Sequence, residues 1–202
     1  MSNLAQVLAQ QARDYSLVEA VAVFAAMLYL LLAIRQNIWC WLCAAISAAL
    51  YVYLFVVAKL YMQSVLNVFY FGMAIYGWQA WYYGRSDGDG LPVSSWKLAR
   101  HVRAIAAISV VSLANGYLLD IWTDAEFPYI DSCITWGAIW ATFLVARKVL
   151  ENWWYWLLID AASVAIYWLR DLQLTALLFV VYLVMIPFGL ISWTRSRRAA
   201  GT

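Results

Sequence analysis

The sequence predicts an all-α integral membrane protein with seven transmembrane helices arranged as three, one and three. Three observations support this fold class: the composition, the lengths of the apolar segments, and an internal repeat. Of the 202 residues, 66% are apolar and 12% are charged, whereas soluble globular chains average roughly 45–50% apolar and roughly 25% charged residues. The composition excludes a disordered chain, a disulfide scaffold and an ordinary soluble enzyme. We therefore expect one unit embedded in a membrane.

Seven segments are long and apolar enough to cross the hydrocarbon core, which takes roughly 20 mostly apolar residues. They lie at about residues 17–34, 39–57, 62–83, 104–122, 129–146, 153–169 and 174–193. Most connections between them are short. We predict a first three-helix bundle over 17–83 and a second three-helix bundle over 129–193. The part between them, 84–128, comprises a cytoplasmic link, the linking helix 104–122 and an outer loop.

Lysine and arginine residues are unevenly distributed between the two ends of the spans. Ten lie in the connections after the first, third and fifth spans and after the last span, and three (Arg13, Lys59 and Arg170) lie at the opposite end. Cytoplasmic loops of membrane proteins carry an excess of Lys and Arg. We therefore expect the N-terminus outside and the C-terminus in the cytoplasm. The first residues also lack the pattern of a cleaved signal peptide.

Two short strings recur in the second half of the chain, in the same order. Residues 37–41 (NIWCW) match residues 152–156 (NWWYW) at an offset of 115, and residues 76–81 (YGWQAW) match residues 188–193 (FGLISW) at an offset of 112. Three spans therefore recur with one span between them, so both halves have the same orientation. Such a parallel repeat is known from sugar-efflux-type (SWEET-like) transporters. The repeat thus predicts two bundles that rock about a site at their interface.

The sixth span carries Asp160, the only acidic residue in the middle of any span. Polar groups are costly in hydrocarbon, so those within spans are functional candidates that face protein or a cavity. Five residues spaced by three and four share one helix face, namely Trp153, Trp156, Asp160, Ser163 and Tyr167. At the offset of 115, Asp160 and Ser163 correspond to Ala45 and Ala48. The polar pair is absent from the first half, which favours ligand contact over its alternative, a structural carboxylate that bridges helices.

The third span also has a polar face, formed by Gln63, Asn67 and Tyr70. The amide of Asn67 can both donate and accept hydrogen bonds, which suits a heteroaromatic or carboxamide ligand. The alternative is hydrogen bonding between helices, which contributes about 0.6 kcal/mol on average in membranes.

The fifth span places Trp136 and Trp140 near the middle of the membrane, four residues apart. An aromatic face beside a buried carboxylate is what a flat organic cation needs, through stacking and cation–π attraction. An interfacial belt does not explain these two residues, whereas it explains most of the other tryptophans, which lie at span ends. Those at span ends are Trp39, Trp41, Trp78, Trp81, Trp122, Trp153, Trp154, Trp168 and Trp193.

Several functions are disfavoured by what the sequence lacks. Three cysteines and one histidine provide no cluster for zinc or haem, and no phosphate-binding GxxxxGK[ST] loop is present. We therefore expect no cofactor, no metal and, at a net charge of +2, no nucleic-acid partner. The histidine, His101, lies in the basic link and is expected to be solvated or to face lipid headgroups. A membrane-embedded enzyme using Asp160 as general base would need a second catalytic group, and a structural subunit is a further alternative.

Three strings of the sequence resemble the PnuC family of bacterial vitamin-precursor transporters, over about residues 18–193. They are LYMQSVLNVFYFGMAIYGWQAW, FPYIDSC and ARKVLENWWYW. The resemblance implies a seven-helix protomer that assembles as a homotrimer in the bacterial inner membrane. It also implies facilitated diffusion of nicotinamide riboside, which a separate kinase traps inside the cell by phosphorylation. Some relatives, often named PnuT, carry thiamine instead.

The sequence departs from the nicotinamide riboside carriers of that family at two positions. It has Asn67 where they tend to have glutamine on the third span, and Asp160 where some have asparagine on the sixth. Nicotinamide riboside and thiamine each carry a fixed positive charge on an aromatic ring, so a carboxylate beside tryptophans suits either.

The sequence therefore predicts a passive uniporter for a cationic vitamin precursor, with nicotinamide riboside first and thiamine as the alternative. The expected site is a cavity between the bundles in which the cation stacks on tryptophans and contacts polar side chains. No site for a coupling ion is evident. The predicted substrate-binding residues are Asn67, Asp160, Ser163, Trp136, Trp140, Gln63, Tyr70 and Trp156.

Overall fold

The computed structural model contains a helix at each of the seven predicted spans. It describes residues 17–57, 61–84, 90–124, 126–170 and 172–201. The predictions for the N-terminal segment and for Lys59 lie outside the described residues. The helices are α1 (Leu17–Ile34), α2 (Cys40–Val57), α3 (Tyr61–Tyr83), α4 (Leu98–Trp122), α5 (Pro128–Ala146), α6 (Asn152–Leu169) and α7 (Gln173–Ala199).

Two helix ends differ from the prediction. The linking helix α4 begins at Leu98 rather than near residue 104, and α7 continues to Ala199 rather than ending near residue 193. In both cases the added residues are rich in arginine, which does not enter hydrocarbon. These helices therefore continue beyond the apolar spans at the basic end of the molecule.

Among the helices of the described residues, five are long and apolar enough to cross a membrane by length and composition, namely α1, α2, α4, α5 and α7. The remaining two, α3 and α6, have 23 and 18 residues and are also of spanning length. They carry the polar faces identified in the sequence, which lower their hydropathy. A less apolar span is expected where a helix is shielded from lipid and lines a cavity.

The helices form two three-helix bundles related by the predicted repeat. In the first bundle α2 packs between α1 and α3, and in the second α6 packs between α5 and α7. The bundles meet along two helix pairs, α3 with α5 and α1 with α7, whereas α4 packs on α5. Exchanging the halves converts one interface pair into the other. The contacts thus have the pseudo-twofold symmetry of a parallel repeat.

One offset of 112 relates the two halves, and the pairing of residues 37–41 with 152–156 at 115 is wrong. Trp81 Nε1 donates to the carbonyl of Val145 (3.3 Å), and Trp193 Nε1 donates to the carbonyl of Ala33 (2.9 Å). Donors and acceptors in these two bonds are both separated by 112 positions. The match at an offset of 115 aligned two asparagines that are not structurally equivalent. Asn37 lies in a turn before α2, whereas Asn152 begins α6.

The link before α4 is held against the second bundle at the basic end. Ser94 exchanges two backbone hydrogen bonds with the turn between α5 and α6, and the backbone N–H of Trp96 donates to Glu151 (3.2 Å). His101 is 7% exposed and lies with Nδ1 3.0 Å from the hydroxyl of Tyr155. The expectation that His101 is solvated is therefore wrong, because α4 turns this side chain toward α6.

Candidate functional site

A cavity of about 410 Å³ lies between the two bundles and is lined by all helices except α4. Its position at the pseudo-twofold interface is where the repeat predicts a transport site. Six of the eight predicted site residues line it: Gln63, Asn67, Tyr70, Trp156, Asp160 and Ser163.

Among the described residues that line this cavity, Asp160 provides the only charged side chain. It is 4% exposed, and Ser163, one helical turn away, is 2% exposed. In the part of the chain that the structure describes, the carboxyl group of Asp160 has no hydrogen bond and no ion pair. A buried charge without a partner is costly, so a cationic ligand would offset that cost.

The polar face of α3 lines the cavity through Gln63, Asn67 and Tyr70. The side-chain N–H group of Asn67 donates to the backbone carbonyl of Gln63 at 2.9 Å. This bond holds the amide on its own helix and uses one of its two N–H donors, so the Oδ1 atom can accept a hydrogen bond from a ligand and the second N–H can donate one.

Two pairs of stacked aromatic rings line the cavity farther from the basic end. Tyr51 and Phe55 stack with ring centroids 5.5 Å apart, and Tyr167 and Phe179 stack at 5.3 Å. Phe55 and Tyr167 occupy equivalent positions at the offset of 112. Each half therefore contributes an aromatic surface on which a flat ring can stack.

Trp136 and Trp140 do not line this cavity, which contradicts their predicted position. Residues two apart on a helix point about 200° apart, so the face of α5 that presents Ala138 and Thr142 to the cavity turns both tryptophans away. They line a separate groove against α3 and α4, where Trp140 lies 5.6 Å from the ring of Phe143. Both lie near the middle of α5, but the position of a residue along a helix does not specify the face on which it lies.

Four tryptophans close the cavity at the basic end. We name Trp41, Trp81, Trp153 and Trp193 the tryptophan closure. They are 1%, 3%, 2% and 0% exposed, and their rings meet edge to face in the order Trp41–Trp81 (5.5 Å), Trp81–Trp193 (6.3 Å) and Trp193–Trp153 (5.5 Å). The assignment of these four to an interfacial belt is wrong. In contrast, Trp39, Trp122, Trp154 and Trp168 are about half or more exposed, as a belt requires.

Two glycines allow the closure to pack. A Cβ atom added at Gly77 would overlap the ring of Trp41, and one added at Gly189 would overlap the ring of Trp153. Both pairs obey the offset of 112, so each indole lies on the bare backbone of the neighbouring helix. The hydrogen bonds of Trp81 and Trp193 to the opposite bundle then fasten the two halves together at this end.

Three lining residues outside the predicted set of site residues carry buried polar atoms without a partner among the described residues. These atoms are Trp41 Nε1, Trp153 Nε1 and Asn152 Oδ1. Buried polar atoms are generally hydrogen-bonded, and each exception needs an explanation. Their place at the inner end of the cavity makes them candidate ligand contacts. The correct repeat offset, which pairs Trp41 with Trp153, is the sequence signal that would have singled out the two tryptophans.

The described residues contain no group of three or more His, Cys, Asp or Glu side chains placed to hold a metal ion. The three cysteines are free, and Cys40 is buried at the start of α2. The described residues that line the cavity offer one carboxylate, amides, hydroxyl groups and aromatic rings, which are suited to binding an organic ring.

Comparisons with known proteins agree with this geometry. The family described as nicotinamide mononucleotide transporter matches residues 16–195. The nicotinamide riboside transporters PnuC of Escherichia coli (strain K12) and Shigella flexneri are 27% identical, over 94% of this chain and 90% of theirs. The riboflavin/roseoflavin transporter RibM of Streptomyces davaonensis is 26% identical, over 85% and 82%. The crystal structure of the vitamin B3 transporter PnuC has a similar fold, with a TM-score of 0.72 at 21% identity over 97% of this chain and 90% of that one.

Proposed function

The chain belongs to the nicotinamide mononucleotide transporter family and is a multi-pass membrane transporter rather than an enzyme, and we propose that it carries nicotinamide riboside by facilitated diffusion. The relatives transport vitamins of different charge, so the family alone does not fix the cargo. The chemistry of the cavity supplies the reason for this choice.

The observation that carries the proposal is the buried, unpaired carboxylate of Asp160 in the cavity. Nicotinamide riboside bears a permanent positive charge on its pyridinium ring. A carboxylate in a site shielded from water attracts such a ring far more strongly than it would in bulk water. Binding would therefore remove the cost of the buried charge and at the same time select for a cation.

The other lining groups match the remaining parts of the same molecule. The carboxamide can donate to the Oδ1 atom of Asn67, and a ribose hydroxyl can bond Ser163, one turn from Asp160. The stacked aromatic pairs offer faces for the pyridinium ring. Ring cations bind aromatic faces by cation–π attraction of about 0.5–2 kcal/mol.

A passive mechanism fits the two-bundle architecture. The cargo enters the cavity from the outer side, and rocking of the bundles about their interface then opens the basic, cytoplasmic side, where the tryptophan closure lies. The cavity holds one carboxylate and no second acid among its described lining residues, which is a poor basis for a coupled ion. We further propose an outer N-terminus, a homotrimer, and retention of the cargo by intracellular phosphorylation.

Thiamine and riboflavin are the alternative cargoes. Thiamine also carries a positive charge on an aromatic ring and would satisfy Asp160 equally well. Riboflavin enters because RibM is 26% identical to this chain. Its ring system is uncharged at neutral pH, so it would leave the carboxylate of Asp160 buried and unpaired. The charge of the cavity thus favours either cation over the flavin.

Uptake by proteoliposomes tests the proposal. The purified protein, reconstituted without ATP or an ion gradient, should equilibrate radiolabelled nicotinamide riboside across the membrane, and a protonophore should not change the rate. An excess of unlabelled nicotinamide riboside should abolish uptake, and riboflavin should not compete. Uptake of thiamine or riboflavin without uptake of nicotinamide riboside would overturn the assignment of the cargo.

A further inference from the structure

A second apolar groove lies on the outside of the second bundle, on the face of α5 opposite to the cavity. It has a volume of about 430 Å³ and is bounded by α3, α4 and α5. The lining side chains are those of Phe69, Met73, Ala107, Ile108, Val111, Trp136, Ile139, Trp140 and Phe143. The mid-membrane tryptophans that the cavity does not use are therefore part of this groove. A groove with this lining, open to hydrocarbon, is suited to a chain of methylene groups.

Arginines continue the groove at the basic end on two of its three walls. On α4, Arg103 precedes Ala107 by one helical turn, and after α5, Arg147 follows Phe143 by four residues, so each lies in line with a groove residue. Arg147 Nη1 donates to the hydroxyl of Tyr76 (3.4 Å), whose ring stacks on Phe143 at 6.2 Å. This stacking places the guanidinium of Arg147 beside the groove.

Within the described ranges, no carboxylate neutralises either arginine. Arg103 and Arg147 are exposed and form no ion pair with a carboxylate in the described ranges; Arg103 donates only to the carbonyl of Ala99 on its own helix. Both lie at the end of the molecule that carries ten of the thirteen basic residues. Unpaired guanidinium groups at a membrane surface attract anionic headgroups.

We propose that this groove binds one anionic phospholipid, with an acyl chain against Trp136 and Trp140 and the phosphate between Arg103 and Arg147. The apolar groove leads to the two arginines at the basic end, just as the acyl chain of a phospholipid leads to its charged headgroup. The bound chain lies between α4 and α3, against the helix that walls the transport cavity on its other face. The lipid completes the packing of α4, whose backbone lies close to that of α5 and which otherwise contacts α6 through the side chain of His101 in the described chain.

Native mass spectrometry of the detergent-purified protein with added lipid tests the site, independently of any cargo. The parent protein should bind dioleoylphosphatidylglycerol at least about tenfold more tightly than dioleoylphosphatidylcholine, which has the same chains. The double variant R103Q/R147Q should lose that preference. The matched control R195Q/R198Q removes two exposed arginines from the same end of the molecule but outside the groove, and should retain it.

A second variant, Ala107→Phe, tests the groove itself. Ala107 is exposed in the groove, so the larger ring should displace the acyl chain and remove binding of both lipids while the thermal transition of the protein is kept. The proposal is overturned if the two lipids bind equally to the parent, if R195Q/R198Q loses as much as R103Q/R147Q, or if Ala107→Phe changes the number of subunits and leaves lipid binding intact. The last result would show that a second copy of the chain covers the groove.

Discussion

The tryptophan closure and the polar part of the cavity are neighbouring regions built on opposite principles. In the closure, each residue of one half has its counterpart in the other: Trp41 and Trp153 lie on glycines, and Trp81 and Trp193 bond across the interface. In the cavity, Asp160 corresponds to Ala48 and Ser163 corresponds to Tyr51, at the same offset. These counterparts replace Ala45 and Ala48, which the wrong offset gave.

The difference separates two tasks. Rocking of two similar bundles needs equivalent contacts in both halves, because the interface has to open about a common axis. Recognition of an asymmetric molecule needs different groups on the two sides. The symmetric residues therefore belong to the mechanics of the closure, and the asymmetric ones belong to the selection of cargo. The following predictions test this division, beginning with the largest effect.

The largest effect is expected from Gly189→Ala in the closure. The added Cβ would overlap the indole ring of Trp153, and such overpacking costs roughly 1–3 kcal/mol. The thermal midpoint should fall and uptake should be largely lost. Gly77→Ala should do the same through Trp41.

The matched control is Gly72→Ala in α3, where nothing lies within 4 Å of an added Cβ. Alanine is the better helix former by about 1 kcal/mol, so this variant should be as stable as the parent or more so. Equal losses of thermal stability and uptake in Gly72→Ala and Gly189→Ala would mean that the fit of Trp153 on Gly189 has no specific role.

The next effect concerns cargo. Asp160→Asn keeps the shape of the side chain and removes its charge, so the affinity for a cationic cargo should fall about tenfold, which corresponds to about 1.4 kcal/mol. Because Asp160 has no partner to lose in the described chain, stability should be unchanged or increased. Asp120→Asn, at an exposed carboxylate near the end of α4, is the control. An unchanged affinity would mean that Asp160 has a structural role.

A smaller effect is expected from removing either indole hydrogen bond across the interface. Trp81→Phe and Trp193→Phe each remove one of two donors to a buried carbonyl, that of Val145 or Ala33, which keeps its backbone bond from Lys148 or Gln36. A net loss of about 1 kcal/mol for each is expected. Thermal unfolding should show similar losses for both variants, since the positions are equivalent, whereas Trp122→Phe, at a side chain 75% exposed, should show none. A large inequality between the two would break the proposed symmetry.

The last prediction is a pH dependence that comes from Lys148, a charged residue beside the closure. The Nζ atom of Lys148 lies 4.4 Å from the centre of the Trp81 ring. The counterpart of Lys148 at the offset of 112 is Gln36. Both residues have a positive φ, 47° for Lys148 and 55° for Gln36. Burial lowers the pKa of Lys148 from its usual 10.5 to about 8. Between these pH values the unfolded chain holds more protons than the folded protein, so stability should rise with pH across this window.

Lys148→Gln, which makes the two turns alike, should remove that rise in stability between about pH 8 and 10.5. Lys97→Gln, at an exposed lysine, should leave the pH profile of the thermal midpoint unchanged. A parent profile that falls with pH over this window, relative to Lys148→Gln, would contradict the lowered pKa.

Much of the fold could be predicted from the sequence, because the apolar segments by themselves specify where the membrane-spanning helices lie. Each of the seven spans was found within a few residues, except where arginines extend α4 and α7. The face carrying Asp160 and Ser163 was also predictable, since unpaired polar groups do not face lipid. The resemblance to the vitamin transporters was confirmed by the family match over residues 16–195.

The positions of the aromatic residues could not be predicted reliably from the sequence. Trp136 and Trp140 have the depth of site residues but lie on the outer face of α5, whereas Trp41 and Trp153 have the position of interfacial residues but are buried in the closure. An indole suits lipid, interface and protein interior almost equally well, so its identity does not specify which of these it contacts. A carboxylate tolerates few surroundings, so its identity does.

The number of helices, the parallel repeat and the inward face of the charged residue follow from the order of the amino acids, because a charged or polar group and an apolar group have very different free energies in hydrocarbon. The offset of 112, the tryptophan closure and the side of α5 that faces the cavity became known only from the packing of the helices. These depend on how helices rotate against one another, and that rotation is set by the fit of rings onto glycines rather than by polarity.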